Sequence, residues 1–123
     1  MQEKLKEIAN ELKEHEVELH AASIEYAGLA EAAAEKRVLY DVAWSSAYLR
    51  ISGDGEKRTI PVLDALVTVE VEEQMWECRL AEGAADAGKR HLSSLQSLLT
   101  SGQTRAGLLK SADAGQSGKE IAF

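Results

Sequence analysis

The segment SGDGEKRTIP, residues 52–61, interrupts a chain that otherwise has the periodicity of helices. It contains Pro61, the only proline of the chain, and a glycine on each side of Asp54, which are strong signals for a turn. Thr59 is predicted to cap a second helix through its hydroxyl, and Pro61 fits the first turn of that helix, where no N–H is needed. We therefore predict an all-α chain that forms a long antiparallel helical hairpin with its tip at 52–59.

Three parts of the chain differ in composition. Residues 1–20 predict a coiled-coil-like helix, because heptad spacing relates Leu5, Ile8, Leu12 and Leu19. Residues 21–110 form the predicted hairpin, in which Gly28 is a candidate break and the β-branched segment 62–71 has a short strand as its alternative. Residues 111–123 are rich in glycine, serine and alanine, which predicts a flexible tail.

Small and bulky residues follow one another in a matching order along the two arms. Segments 21–34 and 78–91 have little side-chain bulk, whereas 38–51 and 61–74 are bulky. Folding back at the tip places small opposite small and bulky opposite bulky, so that the arms can approach closely. Because two helices cannot enclose a core, we also expect an oligomer. The predicted interface residues are Leu5, Ile8, Leu12, Leu19, Leu92, Leu95 and Leu99.

The charge distribution limits the range of partners. A formal net charge of −7 argues against binding to duplex nucleic acid through bulk electrostatics. Acidic residues dominate 64–86, where Arg79 is the only base, and basic residues concentrate at the tip and from Lys89 onward. The single cysteine fits a reducing cytosol, and the early charge at Glu3 argues against a signal peptide. No apolar run approaches the length of a membrane span. These features predict a soluble intracellular protein.

No catalytic constellation is present in the sequence. Glu11–His15 and Glu16–His20 are spaced i,i+4, but nothing supplies the further ligands of a metal site, so these pairs are interpreted as solvated helix faces. Cys78 has acidic neighbours that raise a thiol pKa, which indicates a buried small residue rather than a nucleophile. We therefore predict no catalytic residues, no metal, no cofactor and no enzymatic activity.

An aromatic stripe precedes the tip. Tyr40, Trp44 and Tyr48 are spaced i, i+4, i+8, with Arg37 and Arg50 nearby. Aromatic rings beside arginines can bind single-stranded nucleic acid, because bases stack on the rings while the cations hold phosphates. The same stripe can instead pack between helices or subunits, and we favour that interpretation because Asp41 lies close to it.

The order of these features resembles small phage proteins of the UvsY-type recombination-mediator family, over roughly residues 20–115. The similarity lies in a helix containing Tyr40, Trp44 and Tyr48, a Gly-Asp-Gly tip, and a return helix with Glu70, Glu73, Trp76, the leucine- and serine-rich segment 92–98, and Arg105. This sequence departs from the family in the segment before the tip, 39–50, which offers only Arg50 where the family has a basic stretch.

The resemblance implies a non-enzymatic mediator that binds single-stranded DNA, assembles as a homo-oligomer and helps to load a RecA-like recombinase by displacing single-strand binding protein. It implies a cytoplasmic location in an infected bacterial host. The basic residues available for DNA are Arg37, Arg50, Lys57, Arg58, Lys89 and Arg90. The alternative is an acidic helical adaptor or phage structural protein, which binds a protein partner without DNA contact.

Overall fold

The computed structural model describes the backbone of residues 2–121 and the side chains of residues 2–112. It contains helix α1 from Gln2–Ser52, helix α2 from Ile60–Glu70 and helix α3 from Glu72–Ile121. No strand occurs in this part of the chain. The predicted all-α class is confirmed, and the strand alternative for 62–71 is wrong.

Val71 separates α2 from α3 without interrupting the backbone hydrogen bonds. Its N–H donates to the Val67 carbonyl at 3.1 Å, and its carbonyl accepts from the Met75 N–H at 2.9 Å. The distortion is confined to the backbone angles of Val71, which are φ −101° and ψ 17°. One turn earlier, the Thr68 hydroxyl donates to the Asp64 carbonyl at 2.7 Å, a bond that commonly bends helices. Side chains on either side of Val71 therefore continue one helical pattern.

The tip is a hydrogen-bonded turn between α1 and α2. Gly55 has φ +86°, a conformation that glycine adopts without a Cβ penalty. The Glu56 N–H donates to Asp54 Oδ1 at 3.0 Å, which closes an Asx turn. The positive φ explains the glycine after Asp54, and a Cβ at Gly53, before it, would lie only 3.0 Å from the Leu49 carbonyl oxygen. The predicted turn is confirmed.

Thr59 precedes α2 with extended backbone angles, and proline lies in the first turn, as predicted. The predicted capping by the Thr59 hydroxyl is wrong, because its side chain makes no cap hydrogen bond. The Thr59 carbonyl instead accepts the first helical bond, from the Leu63 N–H at 3.0 Å.

The chain divides into two units. Unit 1 comprises Met1–Glu25 with Lys89–Phe123, and unit 2 comprises Tyr26–Gly88. Each unit pairs part of α1 with a later helical segment that runs antiparallel to it. Unit 2 contains the tip and is therefore a helical hairpin by itself.

The core of unit 2 lies next to the tip. Ala47, Leu63, Val67 and Val71 form a buried cluster, and Tyr40, Ala43, Trp44, Tyr48 and Ile51 pack against it. This confirms that the predicted bulky segments face each other. At the other end of unit 2, Leu29 and Tyr26 lie against Gly88, where an added Cβ would be 2.9 Å from the Leu29 side chain. Segments 21–34 and 78–91 therefore face each other as predicted, but at this contact bulky side chains, rather than small ones, fill the space that glycine leaves.

Unit 1 is held by the leucines that were predicted as an oligomer interface. Ile8, Ala22 and Leu95 are buried, and Leu5, Leu12, Leu19, Leu92 and Leu99 are partly buried. Leu12 lies against Gly102, and Arg105 forms an ion pair with Glu11 at 3.1 Å. The leucines thus have packing partners within one chain, and their contact with a second subunit stays a prediction.

Two predicted boundaries differ from the structure. Helix α1 continues through Gly28 without a break, and a Cβ added at this glycine would have no other group within 4 Å. Helix α3 does not end at 110 but continues to Ile121. Flexibility of 111–123 stays a prediction, and residues 122–123 lie outside the described part of the chain.

Candidate functional site

Arg58, predicted to contact DNA, is engaged in the tip. Its guanidinium donates to Asp54 at 2.7 and 2.9 Å, to Glu56 at 3.1 Å and to the Ile51 carbonyl at 3.0 Å. Only 17% of its side chain is exposed. The hydrogen bond from Arg58 lowers the pKa of Asp54, and the Glu56 N–H lowers it further. Arg58 therefore stabilises the turn, and its contact with DNA stays a prediction.

Two further arginines of the predicted DNA set also have partners within unit 2. Arg50 forms an ion pair with Glu70, and the Arg37 guanidinium lies 5.9 Å from the centre of the Tyr40 ring. Both side chains remain on the surface, and exposed pairs of this kind contribute little to stability. Arg50 is nevertheless partly neutralised by its carboxylate, which weakens it as a phosphate ligand.

The remaining members of the set are exposed. Lys57 lies at the tip of unit 2, whereas Lys89 and Arg90 lie in unit 1. None of the three has an ion pair within the described residues. Their availability to DNA stays a prediction.

The aromatic stripe is engaged in the fold. Tyr40, Trp44 and Tyr48 are partly buried and pack against the core cluster of unit 2, and the rings of Tyr40 and Trp44 lie 6.4 Å apart. A base could stack only on a ring that is open to solvent. The packing interpretation of the stripe is thus confirmed for contacts between helices.

Cys78 is buried beside a cavity of about 270 Å³ that Arg37, Tyr40, Met75, Arg79 and Glu82 also line. Its Sγ donates to Glu82 Oε1 at 3.3 Å. Burial raises the pKa of the thiol, and the hydrogen bond to Glu82 raises it further. The cysteine is therefore a neutral packing group rather than a nucleophile.

His15 lies in the partly buried row of unit 1, between Leu12 and Leu19. Its Nδ1 is buried and has no hydrogen-bond partner, which is unfavourable for a polar atom. The described residues contain no group of three or more potential metal ligands. His20 and His91 are exposed.

The feature that sequence reasoning missed is a row of exposed side chains, all but one of them apolar, on the solvent-facing side of α2 and the start of α3. We call it the outer stripe, and it consists of Val62, Leu66, Val69, Glu73, Trp76 and Leu80. The spacing alternates between four and three residues, which is the spacing of a coiled-coil contact surface. Val69 and Leu80 are 72% and 70% exposed, and half of Trp76 is exposed. Five of the six positions are therefore large apolar groups in contact with solvent.

Carboxylates border the outer stripe. Glu70 follows Leu66 by four residues, Glu72 follows Val69 by three, and Glu77 precedes Leu80 by three, so each is a surface neighbour of a stripe residue. Glu70 and Glu77 form ion pairs with Arg50 and Lys36, yet 42% and 47% of their side chains remain exposed. Arg79 is the only lysine or arginine between residues 60 and 88, and its guanidinium lies 5.9 Å from the Trp76 ring centre.

A signal for the outer stripe was present in the sequence. Segment 60–71 is apolar around nearly the whole helix, whereas a helix that packs on one side needs only one apolar face. Leu63, Val67 and Val71 are buried, while Val62, Leu66 and Val69 are exposed. Exposed valine and leucine also occur on α1 of unit 2, at Val38, Leu39, Val42 and Leu49.

Comparisons with protein-family models, with curated proteins and with solved structures found no match to this chain. Among the described residues, no helix has an apolar stretch long enough to cross a membrane.

Proposed function

We propose that this protein is a non-enzymatic helical adaptor, which binds a helix of a protein partner through the outer stripe and does not contact DNA. The observation that carries the proposal is the heptad spacing of exposed apolar residues in unit 2. Large contiguous apolar patches on a protein surface commonly mark interaction sites.

The energetics support a docking role. Burying a large apolar side chain completely stabilises a complex by about 1.5–3 kcal/mol. Leu66, Trp76 and Leu80 would together supply a substantial part of the free energy of association, since tryptophan is enriched among interface hot spots and apolar side chains at helical spacing anchor helix-in-groove contacts. Heptad spacing further favours a helical partner, because knobs from a second helix fit between residues three and four apart.

Recombination mediation, which the resemblance implies, has weaker support. Arg58 is bound to the tip, Arg50 is paired with Glu70, and the aromatic stripe packs on the core. Lys57, Lys89 and Arg90 are exposed basic groups, so single-stranded DNA binding stays a prediction. Titration of a labelled single-stranded oligonucleotide at low and at physiological salt tests it, and salt-sensitive binding would contradict the adaptor proposal.

Site-specific photo-crosslinking tests the adaptor proposal. A photoreactive amino acid replaces Val69 in the outer stripe or, as the matched control, Thr68, which is exposed on the same helix and is not three or four residues from any residue of the stripe. In extracts of cells that make the protein, we expect a discrete protein adduct from position 69 and little from position 68. Equal adducts from both positions, or none from position 69, would contradict a helix-binding role for the outer stripe.

A further inference from the structure

We propose that the partner of the outer stripe is a cationic amphipathic helix, with apolar residues at heptad spacing and lysine or arginine beside them. This inference rests on the proposed function and specifies the chemistry of the partner. The apolar row determines that a helix binds, and the bordering charges determine which kind of helix.

Charge complementarity carries the choice of partner. Between residues 64 and 86 the chain has seven acidic residues and one basic residue, Arg79. Glu72 and Glu73 form no ion pair within the described residues, and Glu73 occupies a position of the stripe itself. A partner helix with lysine or arginine at its flanking positions would pair with these carboxylates at the rim of the contact.

The same charges disfavour a second copy as the occupant. In a symmetric pairing the outer stripe of one copy would lie on the outer stripe of the other, so that Glu70, Glu72 and Glu73 would approach like charges. Such juxtaposition selects against a wrong partner. The acidic border of the outer stripe therefore disfavours its pairing with the outer stripe of a second copy.

Peptide binding to the full chain tests the inference. The probe is a labelled peptide of about 20 residues, long enough for a helix, with leucine at the two apolar heptad positions and lysine elsewhere. One control peptide has glutamate in place of lysine, and a second has the basic composition in scrambled order. We expect the patterned basic peptide to bind at least about tenfold more tightly than either control, with an affinity that falls as salt rises. Equal binding of the scrambled basic peptide would overturn the inference.

Matched variants locate the binding. Leu66→Gln is expected to weaken binding of the basic peptide about tenfold, whereas Thr68→Gln, two residues away on the same helix, is expected to change its affinity less than about twofold. Glu72→Gln combined with Glu73→Gln is expected to reduce both the affinity and its salt dependence. Circular dichroism of each variant checks that the helices are retained. Equal effects of Leu66→Gln and Thr68→Gln would overturn the inference.

Self-association provides the competing outcome. Sedimentation of the wild type and of Leu66→Gln determines whether a second copy covers the outer stripe. A wild-type dimer that Leu66→Gln dissociates would assign the stripe to self-association and overturn the inference, while a photo-adduct from position 69 would still support an interaction role. Absence of both the adduct and peptide binding would contradict the proposed function as well.

Discussion

Unit 1 and unit 2 have similarly built cores but different exposed surfaces. Both pair two antiparallel helical segments through inward residues at heptad spacing, such as Ile8 and Leu95 in unit 1 and Ala47 and Val67 in unit 2. Among the residues whose side chains the structure describes, only unit 2 adds a second, outward row at alternating spacings of three and four. In unit 1 the exposed large apolar residues of this part are Val17, Ile24, Leu98 and Leu108, and none lies three or four residues from another. Inward residues thus specify the pairing of helices, and the outward row distinguishes the unit that has a docking surface.

The largest expected effect contrasts the two sides of α2. Val67 is fully buried and Val69 is 72% exposed, although the two residues are identical and only two positions apart. Val67→Asp buries an unpaired carboxylate and is expected to destabilise unit 2 by more than about 4 kcal/mol, or to unfold it. Val69→Asp is expected to cost less than about 1 kcal/mol in the unbound chain.

Urea unfolding followed by circular dichroism compares these variants. Partner binding provides a second readout, because Val69→Asp should impair it while leaving the fold intact. Similar losses of stability for the two substitutions would contradict the assignment of inward and outward faces in unit 2.

The next effect concerns the tip, which only unit 2 contains. Gly55 has a positive φ, so Gly55→Ala forces an L residue into a left-handed conformation and is expected to cost about 1–2 kcal/mol. Gly28→Ala serves as the control, because Gly28 lies in a regular helix with open space around it. Its substitution is expected to stabilise the chain by up to about 1 kcal/mol. Chemical denaturation measures both, and a stabilising Gly55→Ala would contradict the described turn.

A smaller effect is expected in unit 1, at the partly buried His15. His15→Leu replaces a side chain whose buried Nδ1 has no partner with the residue type of its neighbours Leu12 and Leu19. We expect a gain of about 1 kcal/mol in the free energy of unfolding. Partner binding should be unchanged, since the outer stripe belongs to unit 2. A loss of stability in the thermal melt would show that the histidine has a partner that this account omits.

The smallest effect is a pH dependence at the tip. Asp54 has a lowered pKa, chiefly through the hydrogen bond from Arg58. A carboxylate with a lowered folded pKa stabilises the fold fully above its ordinary pKa of 3.8, and this contribution disappears as the pH falls through the folded value. The stability difference between the wild type and Asp54→Asn should therefore be constant near neutral pH and shrink in acid. A difference that grows on acidification would contradict this linkage.

Most of the fold could be predicted from the sequence, because local signals coincide with the elements. The turn residues around Asp54 and the proline after Thr59 indicate where the chain reverses, and the inward rows have helical spacing. Helix α1 continues through the candidate break at Gly28, since a glycine lowers helix propensity without ending a helix that has packing partners. The two small-residue segments face each other as predicted, yet at Gly88 the absent side chain accommodates large ones, from Tyr26 and Leu29.

The site was harder to predict, because the role of a side chain depends on contacts made through the fold. Arg58 has the appearance of a free basic residue, and only the geometry of the turn brings Asp54, Glu56 and the Ile51 carbonyl around it. The outer stripe could have been recognised, since α2 has more apolar faces than one packing contact requires. Its β-branched residues instead indicated a short strand as an alternative to helix.

The central claim is that a cationic amphipathic helix covers the outer stripe, and the fluorescence of Trp76 tests it most directly. Trp44→Phe leaves Trp76 as the only tryptophan, and half of this side chain is exposed in the free chain. When the patterned basic peptide is added, we expect the Trp76 emission to shift to the blue and its quenching by neutral acrylamide to fall. The control peptide with glutamate in place of lysine should cause neither change. Saturable binding of the basic peptide with unchanged Trp76 emission and quenching would contradict the central claim.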